Sequence, residues 1–169
     1  EASLTLLENR KQIIPLMRLD TLKIACLSVG SDSLTPFQQM LANYTRTVNY
    51  HLPENFSDEE LGELKDHLKE YNLVIAGFHP DESKACRSAQ AGNLGQGKPE
   101  TAYGMTGRPG KLLNYLASEK TAIGVFFSDP YALAEVHDFR RPAGLVMAYR
   151  NDQLVQELAA QLVFGGIGV

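Results

Sequence analysis

Apolar residues along this chain fall into short blocks, and amphipathic stretches separate them. The blocks "LKIACLSVG" (22–30), "NLVIAGF" (72–78), "TAIGVFF" (121–127) and "AGLVMAY" (143–149) are short and almost without polar alternation. Such runs predict strands covered on both faces. "TRTVNYHL" (45–52) predicts a further strand. Between them, "LTPFQQMLANY" predicts a helix capped by Thr35 with Pro36 in its first turn and Phe37, Met40, Leu41 and Tyr44 on one face. "SDEELGELKDHLKEY" is the clearest helix. Ser57 and Glu60 form a capping box, Leu61, Leu64 and Leu68 make the buried stripe, and Lys65, Asp66 and Lys69 face water. "RPGKLLNYLASE" and "DPYALAEV" predict two more helices. "NDQLVQELAAQLVFGG" predicts the last, with Asn151 as its cap, Leu154, Val155, Leu158, Leu162 and Val163 inward, and Gly165 as its stop.

Strand and helix thus alternate across five strands, which predicts an α/β domain of three layers with helices on both faces of a mostly parallel sheet of five to six strands. The expected order is 2-1-3-4-5, the flavodoxin-like arrangement. Residues 1–169 read as one domain. Residues 1–20, interrupted by Pro15, read as a leader laid against it rather than a regular element. Residues 79–106 break the rhythm: they are polar and Gly-rich, with weak periodicity, and loops of that length inside a domain are usually functional or mobile.

Composition narrows the function classes. Apolar residues make up 44% and charged residues 21%, as in globular proteins, and the net charge of −4 gives no electrostatic case for nucleic acid. No apolar run approaches the roughly 20 residues needed to span a bilayer. The first residues do not read as a signal peptide, and the absence of an initiator methionine leads us to expect residues upstream of Glu1. Cys26 reads as core filler and Cys86 as a loop thiol, neither with metal-ligand spacing. The four histidines have no mutual spacing that suggests a metal, so no metal and no cofactor is expected.

In parallel sheets, ligands sit beyond the carboxyl ends of the strands, where strand order reverses. The residues predicted there are Ser31, Asp32 and Ser33 after the first strand and His79, Asp81 and Glu82 after the third. A histidine has a pKa suited to proton transfer, but no strained serine elbow accompanies it, and loop groups that cap helices explain the same residues. "GNLGQGKP" (92–99) nearly matches a phosphate-binding loop, yet Pro99 replaces the Ser or Thr that would hold magnesium and no strand precedes it. "SVGSDSLT" has hydroxyls near a helix start, where a flavin phosphate could lie or where capping alone would place them. A phospho-receiver's acids and lysine are not in place. Arg87 belongs to a scatter of positive charge along the long loop. The residues by themselves yield an open α/β domain with no complete catalytic set.

Three segments, in order, resemble one family. "SLTLLENRKQIIPL" is similar to the stretch that leaves the catalytic barrel in glycoside hydrolase family 3. "IGVFFSDPYAL" resembles that family's "FGNPYAL" turn, and "AGLVMAYRNDQLVQELAAQLVFGGI" its closing strand and helix. The resemblance covers about 1–29 and 121–169 and identifies the chain as similar to the family's second, C-terminal domain. It implies a flavodoxin-like fold, an N-terminal (β/α)8 barrel upstream as partner, and carbohydrate as the substrate of the whole enzyme. It also makes Val169 look like a boundary within a longer protein. The family's retaining mechanism needs a nucleophile and an acid. The nucleophilic Asp belongs to the barrel. In the glucosidase branch the acid is a Glu near an "E-G-x-D-R" pattern on the second domain's long loop, a pattern this sequence lacks. Glu82 and Glu100 are its only loop glutamates. In the β-N-acetylglucosaminidase branch a barrel His serves, and the second domain is supporting.

Three readings follow. The first is a non-catalytic accessory domain of β-N-acetylhexosaminidase type, with His79, Asp81 and Arg87 as rim candidates. The second is a β-glucosidase-like domain whose Glu82 or Glu100 supplies the acid. The third is an independent flavodoxin-like binding module. The fragment alone is expected to be inactive. Ser128-Asp129, where the family has Gly-Asn, should still cap a helix. The compartment is not readable from these residues; a parent outside the bacterial cytoplasm is one setting the resemblance allows.

Overall fold

A computed structural model describes residues 4–80, 107–130, 133 and 141–168. Six strands form one sheet: β1 (Thr5–Asn9), β2 (Ile24–Val29), β3 (Thr47–Leu52), β4 (Leu73–Phe78), β5 (Ala122–Phe126) and β6 (Gly144–Met147). The order across it is β1-β6-β5-β4-β2-β3. Among the described residues, four helices flank it: α1 (Pro36–Ala42), α2 (Asp58–Leu68), α3 (Arg108–Glu119) and α4 (Gln153–Val163). The strands from β2 to β6 pair in parallel, as double-sided burial predicts.

Side chains alternate between two apolar layers. Ala25, Leu27, Val74, Ala76 and Phe126 pack under the Leu61, Leu64 and Leu68 stripe of α2 and the Leu112, Leu113 and Leu116 stripe of α3. Ile24, Cys26, Ile75, Val125 and Phe127 pack on the other side, against α1, α4 and the leader. The three-layer α/β expectation holds. Cys26 is fully buried, and burial pushes its thiol pKa upward, as suits a core residue.

The leader departs from expectation. Thr5–Asn9 forms β1, which pairs antiparallel with β6, Thr5 opposite Met147 and Asn9 opposite Gly144, with an irregularity between Leu6 and Glu8. The expected five-strand order therefore gains an outer strand beyond β6; the parallel strands, numbered without β1, keep the order 2-1-3-4-5. An edge strand of this kind takes its hydrogen bonds from a partner more than a hundred residues away, so local propensity says little about it. Asn9 then closes a turn. Its side chain donates to the Ile14 carbonyl at 2.7 Å and accepts from the Ile14 amide at 2.9 Å. This seats Ile14 and Leu16 in the core, and the Leu16 amide bonds the Val163 carbonyl at 2.8 Å.

Both predicted capping boxes are present. Thr35 is paired with Gln38, and Ser57 accepts from the Glu60 amide at 3.1 Å while its own amide donates to the Glu60 carboxylate at 2.6 Å. α4 differs in two ways. Its cap is Asp152, whose carboxylate accepts from the Val155 amide at 3.0 Å, not Asn151. Its buried face is also only partly as expected: Val155, Leu162 and Val163 are buried, but Leu154 is 61% exposed and Leu158 half-buried, while Gln156, Ala159 and Ala160 also lie inward. Short alanines let the helix sit close to α1 and the sheet, and no such closeness can be read from hydrophobicity alone. The end of α4 is as predicted. Gly165, at φ 77°, donates to the Leu162 carbonyl at 3.1 Å and Gly166 to that of Gln161 at 2.7 Å, the double bond pattern of a Schellman stop. Tyr44, expected on the inner face of α1, follows the helix end, is exposed, and stacks on Phe164 at 4.8 Å. The expected helix over 129–136 lies mostly outside the described residues.

Candidate functional site

The carboxyl ends of β2 and β4 lie side by side, with Val29 level with Phe78. β2 has β3 on its other side and β4 leads on to β5, so strand order reverses here. A cavity of about 460 Å³ opens at this point, bordered by Gly30, Ser31 and Ser33 of the turn after β2, the start of α1, His79, and Asn151 and Gln156 at the start of α4.

The chain leaves β4 through His79, and the main chain fixes it first. The His79 amide donates to the Val29 carbonyl at 2.8 Å. Its own carbonyl presses on Gly30, where a Cβ would lie 2.2 Å from the His79 oxygen; Gly30 also has a φ of 90°. Only glycine accepts both that approach and that dihedral.

The side chain turns back over Gly77, where a Cβ would come within 2.9 Å of His79 Nε2. The ring stacks on Phe127 with centroids 4.6 Å apart, and Phe127 meets Phe37 edge-on at 5.3 Å. His79 is only 4% exposed. Its tautomer follows from the chain of partners. The Phe37 amide donates to Gln156 Oε1 at 3.2 Å, so Gln156 Nε2 is the donor to Asn151 Oδ1 at 2.9 Å. That oxygen can only accept, so His79 Nδ1, 2.9 Å away, carries the proton. Nε2 is left buried with no hydrogen-bond partner. Burial pushes the His79 pKa below the usual histidine value, against an opposing pull from the Asn151 hydrogen bond.

The neighbouring turn contributes less. Ser31 Oγ donates to the Ser33 carbonyl at 3.2 Å, and Asp32 and Ser33 face solvent. The amides at the start of α1 are already engaged: Pro36 has none, Phe37 donates to Gln156, and Gln38 donates to Thr35 Oγ1 at 3.2 Å. A phosphate would have to displace these bonds, so the turn has the chemistry of a cap rather than of an anion cradle. Among the described residues, none that lines the cavity carries a carboxylate.

Of the residues predicted from sequence, His79 lies at the crevice. Asp81, Glu82, Arg87 and Glu100, with Cys86 and His137, lie outside the described residues. Sequence reasoning missed Asn151 and Gln156. A glutamine inside an apolar helical face was a usable signal for the second. Asn151 was masked by Asp152, because either residue can cap a helix. Among the described residues, no group of three His, Cys, Asp or Glu could hold a metal ion, and no helix is long and apolar enough to cross a membrane.

No protein-family model and no curated protein matches the sequence. Solved structures do match the fold. A glycoside hydrolase family 3 β-N-acetylglucosaminidase from Paenibacillus sp. aligns over 99% of this chain and 29% of its own, at 14% identity and a TM-score of 0.65. A fungal multi-domain family 3 β-N-acetylglucosaminidase aligns over 98% and 17%, at 17% identity and a TM-score of 0.65. A β-glucosidase from Listeria innocua aligns over 98% and 24%, at 17% identity and a TM-score of 0.65. This chain therefore spans less than a third of the length of those proteins. Its fold is that of one portion of glycoside hydrolase family 3 enzymes, in agreement with the C-terminal domain that the sequence resembles.

Proposed function

We propose that this chain is a non-catalytic C-terminal domain of a glycoside hydrolase family 3 enzyme, of β-N-acetylhexosaminidase type, and that it packs as a single domain on a (β/α)8 barrel of the same polypeptide. The observation that carries this reading is the lopsided coverage: nearly all of this chain aligns, over 17–29% of each enzyme. Two more observations support it. The leader segment that resembles the family's barrel exit is β1 and its Asn9 turn, a built connection at the sheet edge. At the crevice His79, Asn151 and Gln156 are bonded to one another, and among the described residues its lining includes no carboxylate pair of the kind glycoside hydrolysis uses. In this reading the domain supports the barrel, and His79, Asp81 and Arg87 stand at the root and along the start of the segment that borders the active site.

The test uses the isolated chain and the full reading frame. The isolated chain should hydrolyse neither nitrophenyl N-acetyl-β-glucosaminide nor nitrophenyl β-glucoside. The frame upstream of Glu1 should encode a barrel, and the two-domain protein should prefer the N-acetylated substrate. Turnover by the pure isolated chain, or a frame without a barrel, would refute the proposal. The second reading, a β-glucosidase-like domain, draws support from the Listeria match, whose TM-score equals that of the N-acetylglucosaminidases. In that case Glu82→Gln or Glu100→Gln in the two-domain protein should lower kcat by about a hundredfold or more. If both variants keep their kcat, the supporting role stands.

A further inference from the structure

The described molecule offers three features beyond the proposed role: the apolar groove beneath the leader, the aromatic group around Tyr50 and Tyr71, and the buried histidine of the crevice. Nothing in the structure indicates what would cover the first two. The third carries an argument that is independent of the proposed function.

Four groups form one directed chain: Phe37 N–H to Gln156 Oε1, Gln156 Nε2 to Asn151 Oδ1, and Asn151 Oδ1 from His79 Nδ1–H. It ties the end of β4 to the starts of both α4 and α1. Each link is directional, because a backbone amide, which can only donate, fixes the first. The far end of the ring is different. Nε2 holds a lone pair above Gly77, walled by Phe37 and Phe127, with no partner. A proton added to His79 must go to Nε2, and it would place an N–H donor and a positive charge where the described residues offer no acceptor. A buried, unpaired cation is far costlier than the lost hydrogen bonds of an open state.

We propose that His79, Asn151 and Gln156 form an acid-sensitive latch: uptake of one proton at His79 Nε2 drives the ring out of its slot and frees the start of α4 from the end of β4. Among the described residues, the groups that face the ring are Phe37 from α1, Asn151 and Gln156 from the start of α4, and Phe127 beyond β5; none of them is charged. Among the described residues, the charged groups on adjoining turns are Asp32 after β2, Glu54 after β3, which lines a small cavity together with His79, Asp129 after β5, and Arg150 and Asp152 ahead of α4. Arg150 and Asp152 pair with each other at 2.9 Å. Among the described residues, the group bonded to the ring is the uncharged amide of Asn151.

The sign follows from linkage. The open form takes up its proton at the ordinary histidine value, and the closed form resists it. Opening is therefore suppressed above that value and grows as pH falls, about tenfold per pH unit below about 6.5, until the closed form is protonated too. Imidazole nitrogen spectra of the labelled 169-residue chain, recorded between about pH 8 and about pH 5, should show the Nδ1–H form of His79 at neutral pH. Over the same range, the protection factor of the Phe37 amide should fall about tenfold per pH unit below about 6.5. His79→Gln should flatten that acid dependence. Asn151→Asp should abolish or reverse it, because a carboxylate beside Nδ1 stabilises the cation. An Nε2–H tautomer at neutral pH, acid-independent protection in the unmodified chain, or unchanged acid sensitivity in either variant would each overturn the proposal. Should His79→Gln fail to fold, the spectra of the unmodified chain and Asn151→Asp still decide.

Discussion

Two asparagines do similar work at opposite places in this molecule. Asn9 clamps the leader, bonding both main-chain groups of Ile14, five residues on. Asn151 clamps the crevice, bonding a side chain 72 residues away in sequence and a helix of its own. The first clamp is local. It depends on the chain turning once, and both its partners are backbone groups of Ile14, which no substitution other than proline removes. The second is assembled by the fold. It depends on the end of β4, the start of α4 and the start of α1 all arriving together, and every link but one is a side chain. A local clamp is therefore robust, and an assembled one is responsive to conditions such as pH.

Several substitutions would break or sharpen this contrast. Gly30→Ala should be the most damaging at the crevice, on the order of 4 kcal/mol in chemical unfolding. It combines a positive φ with a Cβ placed 2.2 Å from a main-chain oxygen that cannot move without the β4 end. At the leader, the nearest equivalent is Leu16→Ala, which should cost about 2–4 kcal/mol by emptying a buried site, without a backbone clash. A smaller loss in Gly30→Ala than in Leu16→Ala would mean that the crevice is softer than its geometry implies. Asn9→Ala and Asn151→Ala should each cost about 1–3 kcal/mol near neutral pH, as partly buried partners lose their bonds. Their pH dependence should separate them. The loss in Asn9→Ala should stay constant as pH falls, while that in Asn151→Ala should shrink, since acid has already opened the latch it removes. Parallel pH curves for the two variants would contradict the distinction. Ser57→Ala should cost about 1 kcal/mol, the ordinary worth of a cap far from both clamps. Leu154→Gln should change stability by no more than about 0.5 kcal/mol, because this side chain faces solvent.

α4 shows how far the sequence could be followed. Its existence, its Gly165 stop and its amphipathic character were legible, because helix periodicity and a C-terminal glycine are local signals. The full extent of its buried face was not. Hydrophobicity ranked Leu154 above Gln156, but Leu154 faces solvent, while Gln156 turns inward beside Val155, Ala159, Ala160, Leu162 and Val163 because Phe37 offers an amide to bond. His79 was legible as a crevice residue from strand order alone. Its tautomer and its slot over Gly77 were not, since both depend on groups from four separate elements.

The sequence by itself determined the alternation of strands and helices, the doubly covered parallel sheet, two capping boxes and the likeness to one glycosidase domain. All of these rest on residues within a turn or two of one another, or on motifs read in order. Tertiary structure decided that the leader is a sixth strand, that Asp152 rather than Asn151 caps α4, and that His79 lies in a slot over Gly77 with one ring nitrogen unpartnered among the described residues. Hydrogen bonds across long loops have no local signature, and which of two adjacent polar residues caps a helix depends on what the other one finds across the fold.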